Sequence, residues 1–195
     1  QGWALVEIEI DLTAVDYNGP VFVTYDTLPG TFMLFSEIEF IGAEIPEGAE
    51  VIRLKPEKDI TDAQAAIEIA IERGADSFVI IGGLSGRLDH TLANLCMLED
   101  LYARRVIGYI NDGANRARFI RNSGIIILRS DFKYLSLIAA DDTCKGVSIQ
   151  GCKYELKKQP VHRRLQFAVS NEITGNCAMV TVKKGGLYVI ESREG

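Results

Sequence analysis

A chain of 195 residues, 47% hydrophobic and 25% charged, carries enough apolar material for a folded core, which excludes global disorder. Its net charge of −6, with 21 basic residues scattered rather than clustered, argues against a dedicated nucleic-acid surface and leaves nucleotide chemistry open. No apolar run approaches the ~20 residues of a membrane span, Gln1 opens no signal-peptide pattern, and four cysteines without a CxxC spacing read as buried free thiols rather than a zinc site, so the expected setting is cytoplasmic.

The first 50 residues are the least regular. Residues 5–10 alternate around Glu7 and Glu9 like a half-exposed strand, and residues 21–23 suggest another. From there to residue 121 strands alternate with helices. Residues 51–54 (VIRL) read as a strand. Thr61 is a good N-cap with Gln64 three positions on, and Ala63, Ala66, Ile67, Ala70 and Ile71 repeat at helical spacing until Gly74 stops the helix. Residues 78–81 make a short buried strand. Leu88, Leu92, Leu95, Leu98 and Tyr102 then mark a second helix, and residues 106–110 a third strand ended by Asn111-Asp112-Gly113.

After Asn122-Ser123-Gly124 the pattern changes to short β-type runs at 125–128, 134–139, 146–149, 153–156, 165–169, 178–182 and 186–190. The expected architecture is therefore α/β, with a parallel-sheet, Rossmann-like half at residues 1–122 and an all-β sandwich or barrel at 123–195.

In an open α/β sheet ligands bind beyond the carboxyl ends of the strands. Three polar clusters fall there: residues 55–62 (KPEKDITD), residues 82–90 (GGLSGRLDH) and residues 111–115. Glycines let backbone N–H groups approach an anion, the following helix N-terminus favours negative charge, and Arg87 suits a bidentate phosphate grip. A plain strand-to-helix turn accounts for the same glycines equally well. Asp62 complements the helix dipole by position alone, whereas Asp59 lies off the helix; two carboxylates beside a phosphate loop suit Mg²⁺. Lys58 is either a phosphate neutraliser or a surface lysine. Asp89 either caps the second helix or meets a ligand, His90 reads more simply as a helix-start histidine, and Asn94 as a group that steadies the loop. Ser170-Asn171-Glu172 reads locally as a turn.

Taken in order, Lys58-Asp59-x-Thr61-Asp62, Gly83-x-x-Gly86-Arg87-x-Asp89-His90-x-x-x-Asn94 and Ser170-Asn171-Glu172 resemble the thiamine pyrophosphokinases, over roughly residues 51–192. That resemblance implies transfer of the pyrophosphoryl group of ATP to thiamine with Mg²⁺, giving thiamine diphosphate and AMP. It also implies a homodimer in which the α/β half takes nucleotide and thiamine lies against the β half of a second copy, with no nucleic acid or membrane partner. Asp59, Asp62 and Arg87 would be catalytic, with Asp59, Asp62 and Asp26 at the metal. Lys58, Gly83, Gly86, Arg87 and Asn111 would meet ATP, and Asp89, His90, Ser170 and Asn171 thiamine. Two upstream acidic motifs of the family, Ala-Asp-Gly-Gly and Gly-Asp-x-Asp-Ser, are not intact; AVDYNG at 14–19 and VTYDT at 23–27 stand as faint echoes. A non-catalytic thiamine- or nucleotide-binding homologue is the alternative, and a different pyrophosphate-transfer enzyme a third.

Overall fold

The computed structural model describes residues 32–35, 60–84 and 86–194. Among them are two helices and ten strands. Strand β1 (Phe32–Phe35) is followed by α1 (Asp62–Glu72), β2 (Ser77–Ile81), α2 (Leu88–Ala103) and β3 (Ile107–Asn111). Seven strands then run without a helix: β4 (Asn115–Arg121), β5 (Gly124–Leu128), β6 (Tyr134–Ala139), β7 (Thr143–Gln150), β8 (Leu156–His162), β9 (Cys177–Thr181) and β10 (Gly186–Ser192). The strands proposed at 5–10, 21–23 and 51–54 lie outside the described residues.

Both helices end as their chemistry dictates. Thr61 Oγ1 accepts the Gln64 N–H at 3.2 Å and caps α1. At the other end Gly74, with φ +93°, turns the chain so that Gly74 N donates to Ile71 O and Ala75 N to Ala70 O. Helix α2 uses the same closure without glycine. Arg105 takes φ +62°, while its N–H donates to Tyr102 O and Val106 N donates to Leu101 O.

The sheet that carries the helices is mixed. Its order is β1-β2-β3-β4-β10-β6, and only β1, β2 and β3 run parallel. Strand β4 turns back antiparallel to β3, and β10 and β6 extend the sheet from the later part of the chain. The expected parallel, Rossmann-like half is corrected to this extent: the parallel strands are one flank of a six-stranded sheet. β4 escaped the sequence pattern because its seven residues, NRARFIR, place three arginines among the apolar residues, Arg116 and Arg118 on the face of Ile120 and Arg121 on the face of Ala117 and Phe119.

Two layers cover this sheet. Ile67 and Ala70 of α1 and Leu98 and Leu101 of α2 bury against Phe78, Ile80, Ile110, Ala117 and Phe119 on one face. Gly108 permits that contact, since a Cβ there would come within 2.6 Å of Leu101 Cδ1. The other face, at Ile120, Leu135, Leu137, Leu187 and Val189, packs on a second sheet of order β5-β9-β7-β8 through Ile127, Val147, Ile149, Ala178 and Val180. The β sandwich is thus present, with one of its sheets shared with the helical layer.

Three local expectations fail for physical reasons. Leu88 and Leu92 are 72% and 54% exposed, because they lie about 80° and 120° round the helix from Leu98. The buried face runs instead through Asn94, Leu98 and Leu101. Residues 165–169 form no strand: Leu165, Phe167 and Val169 are exposed and only Ala168 is buried. The run at 153–156 is mostly turn, and the strand follows it as β8, whose polar LKKQPVH sequence and Pro160 suit an edge position. All four cysteines are free, but only Cys144 and Cys152 are buried. No helix among the described residues is long and apolar enough to cross a membrane.

Because a non-glycine residue in the left-handed region carries a steric cost, Arg105→Gly is expected to stabilise the fold by about 1 kcal/mol, read by denaturant unfolding. An unchanged midpoint would mean that the closure is unstrained.

Candidate functional site

The glycine loop leaves the carboxyl end of β2 through three positive φ angles, +81° at Gly82, +76° at Gly83 and +81° at Gly86. Side-chain-bearing residues seldom adopt these angles, so the loop path itself requires glycine. Two bonds fix that path: Gly82 N donates to Asn111 O at 3.0 Å, and Asn94 Nδ2 donates to Gly83 O at 2.9 Å. Asn94 is 7% exposed, so this polar group on the buried face of α2 exists to hold the loop to the helix.

Arg87 is the N-cap residue of α2 and makes no side-chain cap bond. Its guanidinium forks onto Asp89 instead, Nη2 to Oδ2 at 2.6 Å and Nε to Oδ1 at 3.1 Å. Asp89 Oδ1 also accepts the His90 N–H at 3.0 Å. The Arg87 hydrogen bonds hold the Asp89 carboxyl below the usual carboxylate range, against the opposing effect of desolvation. Both side chains are largely exposed, so the pair adds little to stability.

Next to the loop, Asn111 ends β3 and its Oδ1 accepts the Gly113 N–H at 3.0 Å. Asp112 Oδ1 accepts from Ala114 N and Asn115 N at 3.0 and 2.6 Å, shaping the β3–β4 turn. Asn111 therefore lies beside the loop as the strand-end clustering implied, with its carbonyl and side chain both engaged.

The later pair is set apart. Ser170 is exposed, has φ +55°, and its N–H donates to Ser136 Oγ at 3.0 Å. Asn171 is 4% exposed. Its Oδ1 accepts from Tyr154 N and Glu172 N, each at 3.0 Å, and its Nδ2 donates to Tyr154 O at 2.7 Å. Backbone bonds in both directions join Asn171 to Leu135 on β6. Strand directions put Leu135, Asn115 and Asn111 at the same end of the sheet. Yet β4, β10 and β6 stand between, so Asn171 is four strand spacings, roughly 19 Å, from Asn111. Within one chain the two groups share an edge but do not meet.

Lys58, Asp59 and Asp26 lie outside the described residues. Asp62 opens α1, its backbone placed at the helix N-terminus. Among the described residues no three His, Cys, Asp or Glu side chains gather as a metal site.

Sequence reasoning missed one cluster. Glu191 on β10 is 2% exposed and accepts from Arg118 Nη1 and, at 3.4 Å, from Ser130 Oγ. Arg116 Nη1 lies 3.6 Å away. A buried carboxylate has to be paired, and the alternation of Arg116 and Arg118 along NRARFIR is the signal that foreshadows such a partner.

Two family models match this chain in succession: the catalytic domain of thiamin pyrophosphokinase over residues 42–109, and its vitamin B1 binding domain over residues 124–187. The chain belongs to the thiamin pyrophosphokinase family. It is similar to the thiamine pyrophosphokinase of Bacillus subtilis (strain 168), 27% identical over 139 residues, 71% of this chain and 65% of that protein. Thiamin pyrophosphokinase 1 of Caenorhabditis elegans is 23% identical over 74% of this chain and 63% of its own length. The chain thus spans just under two thirds of the length of these curated relatives. The crystal structure of the Bacillus subtilis thiamine pyrophosphokinase superposes with a TM-score of 0.68 at 25% identity, covering 71% of this chain and 66% of the other.

The thiamin pyrophosphokinase catalytic match includes Lys58, Asp59, Asp62 and the whole glycine loop, and the vitamin B1 binding match includes Ser170 and Asn171. Residues 1–41, with Asp26, fall in neither. Since Asn171 satisfies both backbone polar groups of Tyr154, Asn171→Ala is expected to cost about 2 kcal/mol in denaturant unfolding. A loss under 0.5 kcal/mol would remove Asn171 from this structural role.

Proposed function

We propose that the protein is a thiamine diphosphokinase, transferring the pyrophosphoryl group of ATP to the hydroxyl of thiamine with release of AMP. The observation that carries this reading is the match to both family domains in order, with the GGLSGRLDH segment lying at a strand-to-helix junction beyond parallel strands. In the reaction the thiamine oxygen bonds to the β-phosphorus, the bond from that phosphorus to the oxygen of AMP breaks, and the hydroxyl proton leaves to solvent.

Transfer of this kind is run by positioning and charge neutralisation. Backbone N–H groups of the loop and the α2 N-terminus take phosphate oxygens, with Gly83 and Gly86 allowing close approach. Arg87 neutralises developing charge, exchanging its Asp89 partner for phosphate or sharing it. Lys58 and Asn111 border the same phosphates. Asp89, His90 and Ser170 contact thiamine, and Asn171 positions Ser170 and Tyr154 by its buried clamp.

Mg²⁺ suits the donor set, because it takes only one or two protein carboxylates and completes its shell with water and phosphate. Of Asp59, Asp62 and Asp26, one or two at a time would hold it, and bound there it would screen the phosphate charge. The ~19 Å between the two groups of site residues favours a homodimer in which one copy presents the loop and the other presents Ser170. Residues 1–122 and 123–195 serve as the nucleotide-binding and thiamine-binding units, in a cytoplasmic protein.

Incubation with ATP, Mg²⁺ and thiamine is expected to yield AMP and thiamine diphosphate in equal amounts. Arg87→Ala should raise KM for ATP about tenfold or more, and Asp59→Asn or Asp62→Asn should lower Mg²⁺-dependent kcat. Thiamine binding by calorimetry without product would instead identify a non-catalytic homologue. Wild-type kinetics in all three variants would mean that the site lies elsewhere.

A further inference from the structure

The arginine cluster on β4 holds one guanidinium more than its carboxylate needs. Arg118 donates to Glu191 and stacks 5.2 Å from the Tyr109 ring, so the buried acid already has its counter-ion. Arg116 stacks 4.6 Å from the centroid of Phe132, and its nearest acid contact, Glu191 Oε2 at 3.6 Å, is too long for a hydrogen bond. Its side chain is 25% exposed, and its Nε is buried with no hydrogen-bond partner among the described residues. Arg193 stacks 5.2 Å from the centroid of the same ring, and among the described residues its acidic neighbour is Asp131, 93% exposed, at 3.9 Å. The patch is therefore locally positive in a chain of net charge −6.

Stacking on an aromatic ring fixes the plane of a guanidinium without using its N–H groups. Leaving a buried donor unsatisfied is costly, so such an arrangement is kept where a partner arrives from outside. The place is informative. Arg116 pairs with Asn111 across β3 and β4, and Asn111 O accepts the N–H of Gly82. Arg116 thus stands two strand spacings, about 10 Å, from the start of the glycine loop, at the same end of the sheet. That separation matches the span of a polyphosphate chain.

We infer that Arg116 is a phosphate-binding residue, taking an oxyanion of the same nucleotide that the glycine loop holds, with Phe132 as its stacking platform and the Arg118–Glu191 pair as its support. The inference rests on the nucleotide reading of the loop, and it adds a contact on the opposite side of Asn111. A purely structural Arg116 would be Glu191's second counter-ion, and the two roles differ in what its removal does.

Calorimetric titration with inorganic tripolyphosphate and with Mg²⁺-ATP tests it on wild type, Arg116→Met, Arg116→Lys and Arg87→Ala. Methionine keeps the apolar stem on Phe132 and removes the charge and donors. Arg116→Met is expected to weaken both ligands at least tenfold while the unfolding midpoint stays level or rises, and Arg116→Lys to fall between. Affinity within twofold of wild type in Arg116→Met overturns the inference, and so does a fall in affinity matched by a fall in the unfolding midpoint. Wild type that binds neither ligand overturns this inference and the nucleotide reading together. Weak binding in Arg116→Met with undiminished binding in Arg87→Ala supports the Arg116 contact and removes the Arg87 side chain, though not the loop backbone, from the phosphate site.

Discussion

The antiparallel ladder between β4 and β10 joins everything else in this structure. Seven residue pairs, from Gly186–Arg121 to Ser192–Asn115, bind a strand that follows the helices to one that follows the sandwich. Through β4 the ladder reaches the parallel strands, and through β10 it reaches β6. One face of the ladder, at Ala117, Phe119, Tyr188 and Ile190, lies under α2, while the other, at Ile120, Leu187 and Val189, forms the sandwich core. The two cores are therefore separated by one sheet thickness and share the same backbone hydrogen bonds. Loss of register by one residue would turn both faces inside out at once.

This constraint explains what was legible beforehand. Helix α1 was legible to its caps, since Thr61, Gln64 and Gly74 act through local geometry. The strands at 78–81 and 106–110 were legible because short apolar runs after a helix suit parallel positions. The continuity of the sheet was not, because pairing between distant segments leaves no trace in either segment alone. β4 hid behind its arginines: the counter-charge of Arg116 and Arg118, Glu191, comes from β10, and Arg121 pairs with Glu99 and Asp141. The face of α2 was misjudged for a related reason: leucine spacing fits Leu88 and Leu92, but the sheet selects Asn94, Leu98 and Leu101.

The candidate site divides in the same way. The glycine loop and its junction with α2 could be placed from residues 82–94, and the family resemblance named their chemistry. The internal bonds could not: Arg87 is held by Asp89, and Asn171 is a buried clamp rather than an open donor. A motif shows which side chains occur together, not which of them are already occupied. The four strand spacings between Asn111 and Asn171 likewise follow only from strand order.

Strand order also bears on how the molecule is made. β10 lies between β4 and β6, although both are synthesised well before it. Until β10 leaves the ribosome, β4 and β6 each present a bare edge to the gap it will fill, and Ile120, Leu135 and Leu137 lack their neighbour on that face. The nascent chain can therefore form its helices early but cannot close either core. Its most exposed moment falls between the synthesis of β6 and that of β10, with two unpaired edges waiting for a seven-residue strand.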